Sequence, residues 1–184
     1  MAMQLNDSSI LSSIITCVNY AAIAHKNQRR KDPDKTPYIN HPIGVAHILI
    51  EAGVEDPAVI QAALLHDTVE DTDTTNEELK ELFGSKVAGI VAEVTDDKSL
   101  DKQERKRLQI VHAASSSTEA KLVKLADKLY NLRDLDRVTP EGWSEERVEE
   151  YFAWAAKVIA GCRGTNALIE SELDKLFKKR KVIV

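Results

Sequence analysis

The apolar residues of this chain return every three or four positions and almost nowhere every second one. Ile10, Ile14, Ile15, Val18 and Ala22 keep that spacing near the start, and Leu122, Leu125, Leu129 and Leu132 keep it again later. Such a repeat lays apolar side chains along one face of a helix, whereas a half-buried strand would alternate. No Asn-Gly or Asp-Gly pair marks a hairpin. The spacing therefore predicts an all-α fold of many helices, without the regularity of a four-helix bundle.

The expected helices can be placed from their punctuation. A first helix covers about residues 8–27, followed by the polar, proline-marked loop NQRRKDPDKTPYIN. A second runs from His41 to about Ala52 and stops at Gly53. A third starts near Pro57, where proline suits the first turn, and carries on through AALLHDTVEDTDTT. Thr75 and Glu78 form a capping box for a helix that Gly84 ends. Further helices are expected over KVAGIVAEV, over the charged stretch LDKQERKRLQIVHAA, from Glu119 to Leu135, from a Ser144 cap to Ala160, and from a Thr165 cap onward.

With 184 residues the chain suits one domain, spanning residues 1–184. That length buries well over half of the unfolded surface without staples. Its net charge of -5 argues against a general nucleic-acid binder, which needs a lysine and arginine excess. Cys17 and Cys162 both sit in apolar helical stretches and are expected as buried free thiols. The N-terminal apolar run is broken by Ser12, Ser13 and Asn19 and is too short and polar to span a bilayer. A soluble cytoplasmic protein with no membrane partner is the expectation; the oligomeric state is left open.

The segment AALLHDTVEDTDTT raises a chemical question. If the helix continues through it, His66 and Asp67 stand about a hundred degrees apart, and Asp67, Glu70 and Asp71 share a face. Like charges packed this way destabilise an isolated helix, and a cation would remove that cost. Imidazole plus carboxylates suits a divalent metal, and an unligated carboxylate beside it can serve in water activation. A solvated acidic helix end accounts for the same residues. His41 at a helix start reads equally as a surface or capping histidine, and Asp127 as an aspartate paired with Lys124 or Lys128.

The order His, His-Asp, then a distant Asp on a helix resembles the HD metal-dependent phosphohydrolases. RRKDPDKTPYINHPIGVAHIL, AALLHDTVEDTDTT, EVTDDKSLDKQERKR and AKLVKLADKLYNLRDL resemble the hydrolase domain of the RelA/SpoT family, and the short chain with EGWSEERVEEYFAWA resembles its stand-alone animal branch. The resemblance implies a multi-helix HD-domain fold. By position it implies metal ligands at His41, His66, Asp67 and Asp127, with manganese the usual ion. It implies an acidic pair, Glu70 and Asp71, that positions and deprotonates water. It implies a nucleotide substrate, guanosine tetra- or pentaphosphate, cleaved to pyrophosphate and GDP or GTP. The synthetase and regulatory domains of longer members are expected to lie outside this polypeptide.

An anionic substrate on an acidic protein needs local positive charge. Arg29, Arg30 and Lys31, shortly before His41, are candidate phosphate or base contacts, and arginine also stacks on purines. Asn131, one turn beyond Asp127, is a candidate for ribose or phosphate. Lys102 is a candidate phosphate contact within a charge run that reads equally as a solvated face, and Tyr151 a pocket wall that reads equally as core. His25, His47 and His112 have no assigned role. Two other functions are compatible with these residues: a phosphatase for another ribose-phosphorylated nucleotide, NADPH losing its 2′-phosphate, and an inactive nucleotide sensor. The sensor predicts loss of a ligand or of the acidic pair, yet all six positions are filled.

Overall fold

A computed structural model describes residues 7–182, and among the described residues ten helices and no sheet are found. They are α1 (Asp7–Ala24), α2 (Asn40–Glu51), α3 (Pro57–Leu65), α4 (Thr68–Asp71), α5 (Asn76–Phe83), α6 (Ser85–Val94), α7 (Lys102–Ala113), α8 (Thr118–Arg137), α9 (Glu145–Ala160) and α10 (Ala167–Lys179). The all-α expectation holds, and none of these helices is long and apolar enough to cross a membrane.

Two helices make the centre. In α3 every residue from Val59 to Leu65 is buried, because α1, α2, α6 and α8 pack around it. The long α8 packs on α2, α3, α6, α9 and α10. Leu125, Leu129 and Leu132 of its apolar stripe are essentially solvent-free. Each fully buried leucine contributes roughly 1.5–3 kcal/mol, so α3 and α8 are the rigid frame on which a site can be built. Cys17 and Cys162 are buried free thiols, as expected.

Capping follows the sequence at most ends. Thr75 accepts from the Glu78 amide while Glu78 reaches back to the Thr75 amide, closing the capping box. Gly84, at φ 87°, separates α5 from α6, a conformation that costs glycine no steric penalty. Three boundaries differ from expectation. The first helix ends at Ala24, and its last turn gives way to a turn in which the His25 amide still bonds to the Ala21 carbonyl. The last helix is capped by Asn166 instead of Thr165: the Asn166 side chain accepts from the Leu168 and Ile169 amides. Thr165 spends its hydroxyl on the Cys162 carbonyl.

The third difference shapes the site. The third helix does not run through AALLHDTVEDTDTT. It stops at Leu65, His66 and Asp67 form a turn, and only the single turn α4 follows. The Thr68 hydroxyl donates to the Leu65 carbonyl at 2.7 Å, satisfying an acceptor at the break. Asp67, Glu70 and Asp71 therefore do not share one helical face, and each carboxylate has its own surroundings.

Candidate metal centre and active site

Four side chains from three places in the chain converge at this break. His41 comes from the first turn of α2, His66 and Asp67 from the turn after α3, and Asp127 from the middle of α8. His41 Nε2 is 3.4 Å from Asp67 Oδ2 and 3.2 Å from Asp127 Oδ1. His66 Nε2 is 3.2 Å from Asp67 Oδ2 and 3.7 Å from Asp127 Oδ1. Donor atoms of His41, His66 and Asp127 all lie within 4.8 Å of one another. Asp67 meets both imidazoles from the side, its Oδ2 also accepting from the Tyr38 hydroxyl at 2.6 Å.

These donors are oriented, not merely close. His66 Nδ1 lies 2.7 Å from the Ala63 carbonyl. A carbonyl only accepts, so Nδ1 carries the proton and Nε2 faces the centre. That buried Nε2 has no hydrogen-bond partner among the described residues, and an orphaned buried nitrogen is uncommon in a folded protein. Asp127 is held at Oδ2 by Lys128 Nζ at 2.8 Å and at Oδ1 by Asn131 Nδ2 at 2.7 Å. The pairing of Asp127 with a lysine, the bland account of that residue, is real; Asp127 Oδ1 faces the imidazoles all the same.

The charges in this cluster act strongly on one another. Burial works against charge on His66, but the neighbouring Asp67 and Asp127 push its pKa well up. Burial also raises both aspartates, and opposite charges outweigh it: His66 and His41 beside Asp67, Lys128 and the same imidazoles beside Asp127. Both carboxyls fall well below the usual range. The two imidazoles and the Asp127 carboxylate gathered together, with Asp67 beside both imidazoles, form a donor set that suits a divalent metal.

The acidic pair divides. Glu70 Oε2 accepts from the Asp96 amide at 3.2 Å, and Oε1 is 3.6 Å from Arg105. Burial, with Asp96, Asp67 and Asp71 adding their repulsion against one backbone hydrogen bond, lifts its carboxyl to about 7. Asp71 instead forms an ion pair with Lys98 at the rim, and its carbonyl accepts from Gln28 Nε2 at 2.6 Å.

A cavity of about 220 Å³ contains the four converging residues, Glu70, Asp71, Lys124 and Lys128. It adjoins a second cavity of about 280 Å³ that also has Arg30, Tyr38, Asn131 and Tyr151 on its wall. Arg29, Arg30 and Lys31 line this second cavity because their loop is a closed hairpin. Arg29 bridges to Pro37, the Arg30 amide bonds to the Thr36 carbonyl at 2.8 Å, and Asp32 accepts from the Thr36 amide and hydroxyl. Arg30 donates to Asn131 and Asp134 while lying against the Tyr38 and Tyr130 rings, 5.8 and 5.6 Å from their centroids. Asn131 is thus engaged at both ends of its amide, as a strut between Arg30 and Asp127. Tyr151 separates the cavities and packs on Trp143 and Trp154.

Lys102 differs from expectation. It is exposed at the start of α7 and lines neither cavity. One turn on, Lys106 lies over the Trp154 ring at 4.9 Å. Reading the sequence also missed Tyr38, Lys124, Lys128 and Trp143 as wall residues. Tyr38 stood within TPYINHP, three residues before His41, which was the available signal. The others become neighbours only through packing. His25 bonds to Gln28, and His47 is an exposed partner of Glu51.

The HD-domain family profile matches residues 17–155, a span that includes all four converging residues. The chain belongs to the HD-domain family. Within the family it is 63% identical over 178 residues to a Xenopus tropicalis protein named guanosine-3′,5′-bis(diphosphate) 3′-pyrophosphohydrolase, covering 96% of this chain and 99% of that one. A human protein of the same name is 62% identical, covering 94% and 97%. A solved HD-domain structure, described as a metazoan orthologue of SpoT that hydrolyses ppGpp, superposes with a TM-score of 0.92 at 55% identity, covering 99% of this chain and 100% of that one.

Proposed function

We propose that this chain, acting as one hydrolase domain, removes the 3′-pyrophosphate of guanosine tetra- and pentaphosphate, giving pyrophosphate and GDP or GTP. The observation that carries the reading is the junction of two cavities, one with the His41, His66, Asp67 and Asp127 donor set and one walled by Arg29, Arg30 and Lys31. Relatives of matching length carry the name of this activity. His41, His66, Asp67 and Asp127 would hold a divalent ion, with manganese our choice. Such an ion supplies a Lewis acid that makes water easier to deprotonate and neutralises charge on the phosphoryl oxygens.

The chain's own residues do the rest. Glu70 accepts the proton of the attacking water on a carboxylate oxygen, and a carboxyl raised to about 7 is matched to that task near neutral pH. The water oxygen joins the phosphorus on the ribose 3′-oxygen, the P–O3′ bond breaks, and that oxygen leaves with a proton. Asp71, paired with Lys98, holds the rim beside Glu70. Arg30, fixed by Asn131 and Asp134, meets the nucleotide with Arg29 and Lys31, and Tyr151 closes the passage between the cavities.

The test is a product assay with manganese, offering guanosine tetraphosphate and NADPH side by side. Pyrophosphate released from the guanosine nucleotide and abolished by chelation supports the reading. Phosphate from NADPH alone would replace it with the phosphomonoesterase reading, and no product from either, with metal bound, would leave the sensor.

A further inference from the structure

The inner cavity contains a charge that the reaction above does not use. Lys124 is 92% shielded from solvent, being 8% exposed, yet it makes no hydrogen bond or ion pair among the described residues. Its neighbour Lys128 is equally buried but is committed to Asp127. Asp96 and Asp127 are near enough to be felt by Lys124 but are not in contact with it. An unpaired buried ammonium is costly to a fold, so this position has a reason other than stability. The side chain lies in the wall of the cavity that holds the metal-ligand set.

Its place along α8 says what it faces. Lys124, Asp127 and Asn131 fall on one helical face, at steps of about 5 and 6 Å along the axis. Asn131 is tied to Arg30 and so marks the nucleotide side. Asp127 marks the reacting centre. Lys124 lies on the far side of that centre, with Val123, Gln109 and Trp154 lining the same cavity. A ribose-linked phosphoryl group with its sugar toward Arg30 and its phosphorus at the centre extends toward Lys124 only if a second phosphate follows the first.

We propose that Lys124 is the subsite for the distal phosphate of a ribose-linked diphosphate, and that it distinguishes this group from a ribose-linked monophosphate at the same centre. The proposal rests on the hydrolase reading above. It makes Lys124 a specificity residue: its ammonium donates to oxygens of the second phosphorus, which stays joined through the intact P–O–P bridge when the P–O3′ bond breaks.

The experiment compares manganese-loaded wild type with Lys124→Met and Lys124→Arg, using inorganic pyrophosphate and inorganic phosphate as inhibitors and guanosine tetraphosphate as substrate. Loss of one charge-assisted contact is worth roughly tenfold to a hundredfold in affinity. Lys124→Met should weaken pyrophosphate by that factor, leave phosphate within about twofold, and lower kcat/KM for guanosine tetraphosphate by a similar factor, on the same arithmetic. Lys124→Arg should recover part of each loss. Melting temperature should hold or rise in Lys124→Met, because an unpaired buried charge has been removed. Equal losses for pyrophosphate and phosphate, unchanged pyrophosphate inhibition, or a lowered melting temperature would each overturn the proposal. A wild type that binds pyrophosphate tightly through Lys124 but leaves guanosine tetraphosphate intact would sink the hydrolase reading instead.

Discussion

Glu70→Gln should make the metal-free protein more stable at neutral pH while removing most of its turnover with manganese restored. The Glu70 carboxyl is carried from its usual 4.5 to about 7, with burial the first cause. The sign follows from which form the fold disfavours. A carboxyl raised in the folded state is neutral and harmless below pH 4.5; its ionisation then costs the folded state increasing free energy up to about pH 7, and the full cost remains above that. At about 1.4 kcal/mol per pH unit the shift alone corresponds to roughly 3 kcal/mol. The side chain is 20% exposed and Arg105 is 3.6 Å away, so solvent and that guanidinium reduce it to about 1–2 kcal/mol. For a chain of this size that is about 2–8 °C in Tm. The assay is thermal unfolding of chelated wild type and variant from pH 4.5 to 8. The difference should be near zero at the acid end, open between pH 4.5 and about 7, and level off above that, with the variant the more stable. A difference that stays flat across the range, or a variant that melts lower at pH 8, would refute the claim that Glu70 is held in a site hostile to its charge. Restored manganese should then show kcat reduced and KM little changed; a rise in KM alone would make Glu70 a binding residue.

Three further outcomes are expected. Asp67→Ala should lose metal by a hundredfold or more in affinity, on the order of the largest second-sphere effects or beyond, and lose turnover with it; metal content after gel filtration checks this, and full occupancy would end the assignment of Asp67 as a ligand. Gly44→Ala should destabilise by about 1–3 kcal/mol, since its new Cβ would stand 2.0 Å from Tyr130 Cε2 and drive that ring from its seat 4.9 Å from His41; denaturant unfolding measures it, and an unchanged midpoint would mean the ring moves freely. Lys31→Ala should raise KM for guanosine tetraphosphate with kcat nearly kept, and an unaltered KM would remove Lys31 from the nucleotide cavity.

Local chemistry reached far into this fold. The three- and four-residue apolar spacing specified helices because a helix face must be buried. The Thr75–Glu78 box, Ser144 and Gly84 specified where helices begin or end because orphan backbone groups must be satisfied there. The candidate donors at His41, His66, Asp67 and Asp127 were legible only through the resemblance to the HD phosphohydrolases, because taken singly each read equally as a capping, solvated or lysine-paired residue. Their convergence was not, because 86 residues separate His41 from Asp127 and only the packing of α2 and α3 on α8 closes that distance.

The division of labour in the acidic pair was likewise hidden. Glu70 and Asp71 are adjacent and chemically alike, but the break after Leu65 sends one toward Asp96 and Arg105 and the other toward Lys98. Lys102 and Lys106 looked equivalent in a charge run, and only the seat of α7 against α9 lays Lys106 on Trp154. The sequence by itself determined most of the helices, though not the break after Leu65, and which atoms are available as donors, because backbone satisfaction and ligand chemistry are local. The tertiary structure alone decided which of those atoms meet and which charges, Glu70 and Lys124 among them, are held away from water, because burial belongs to the packed whole.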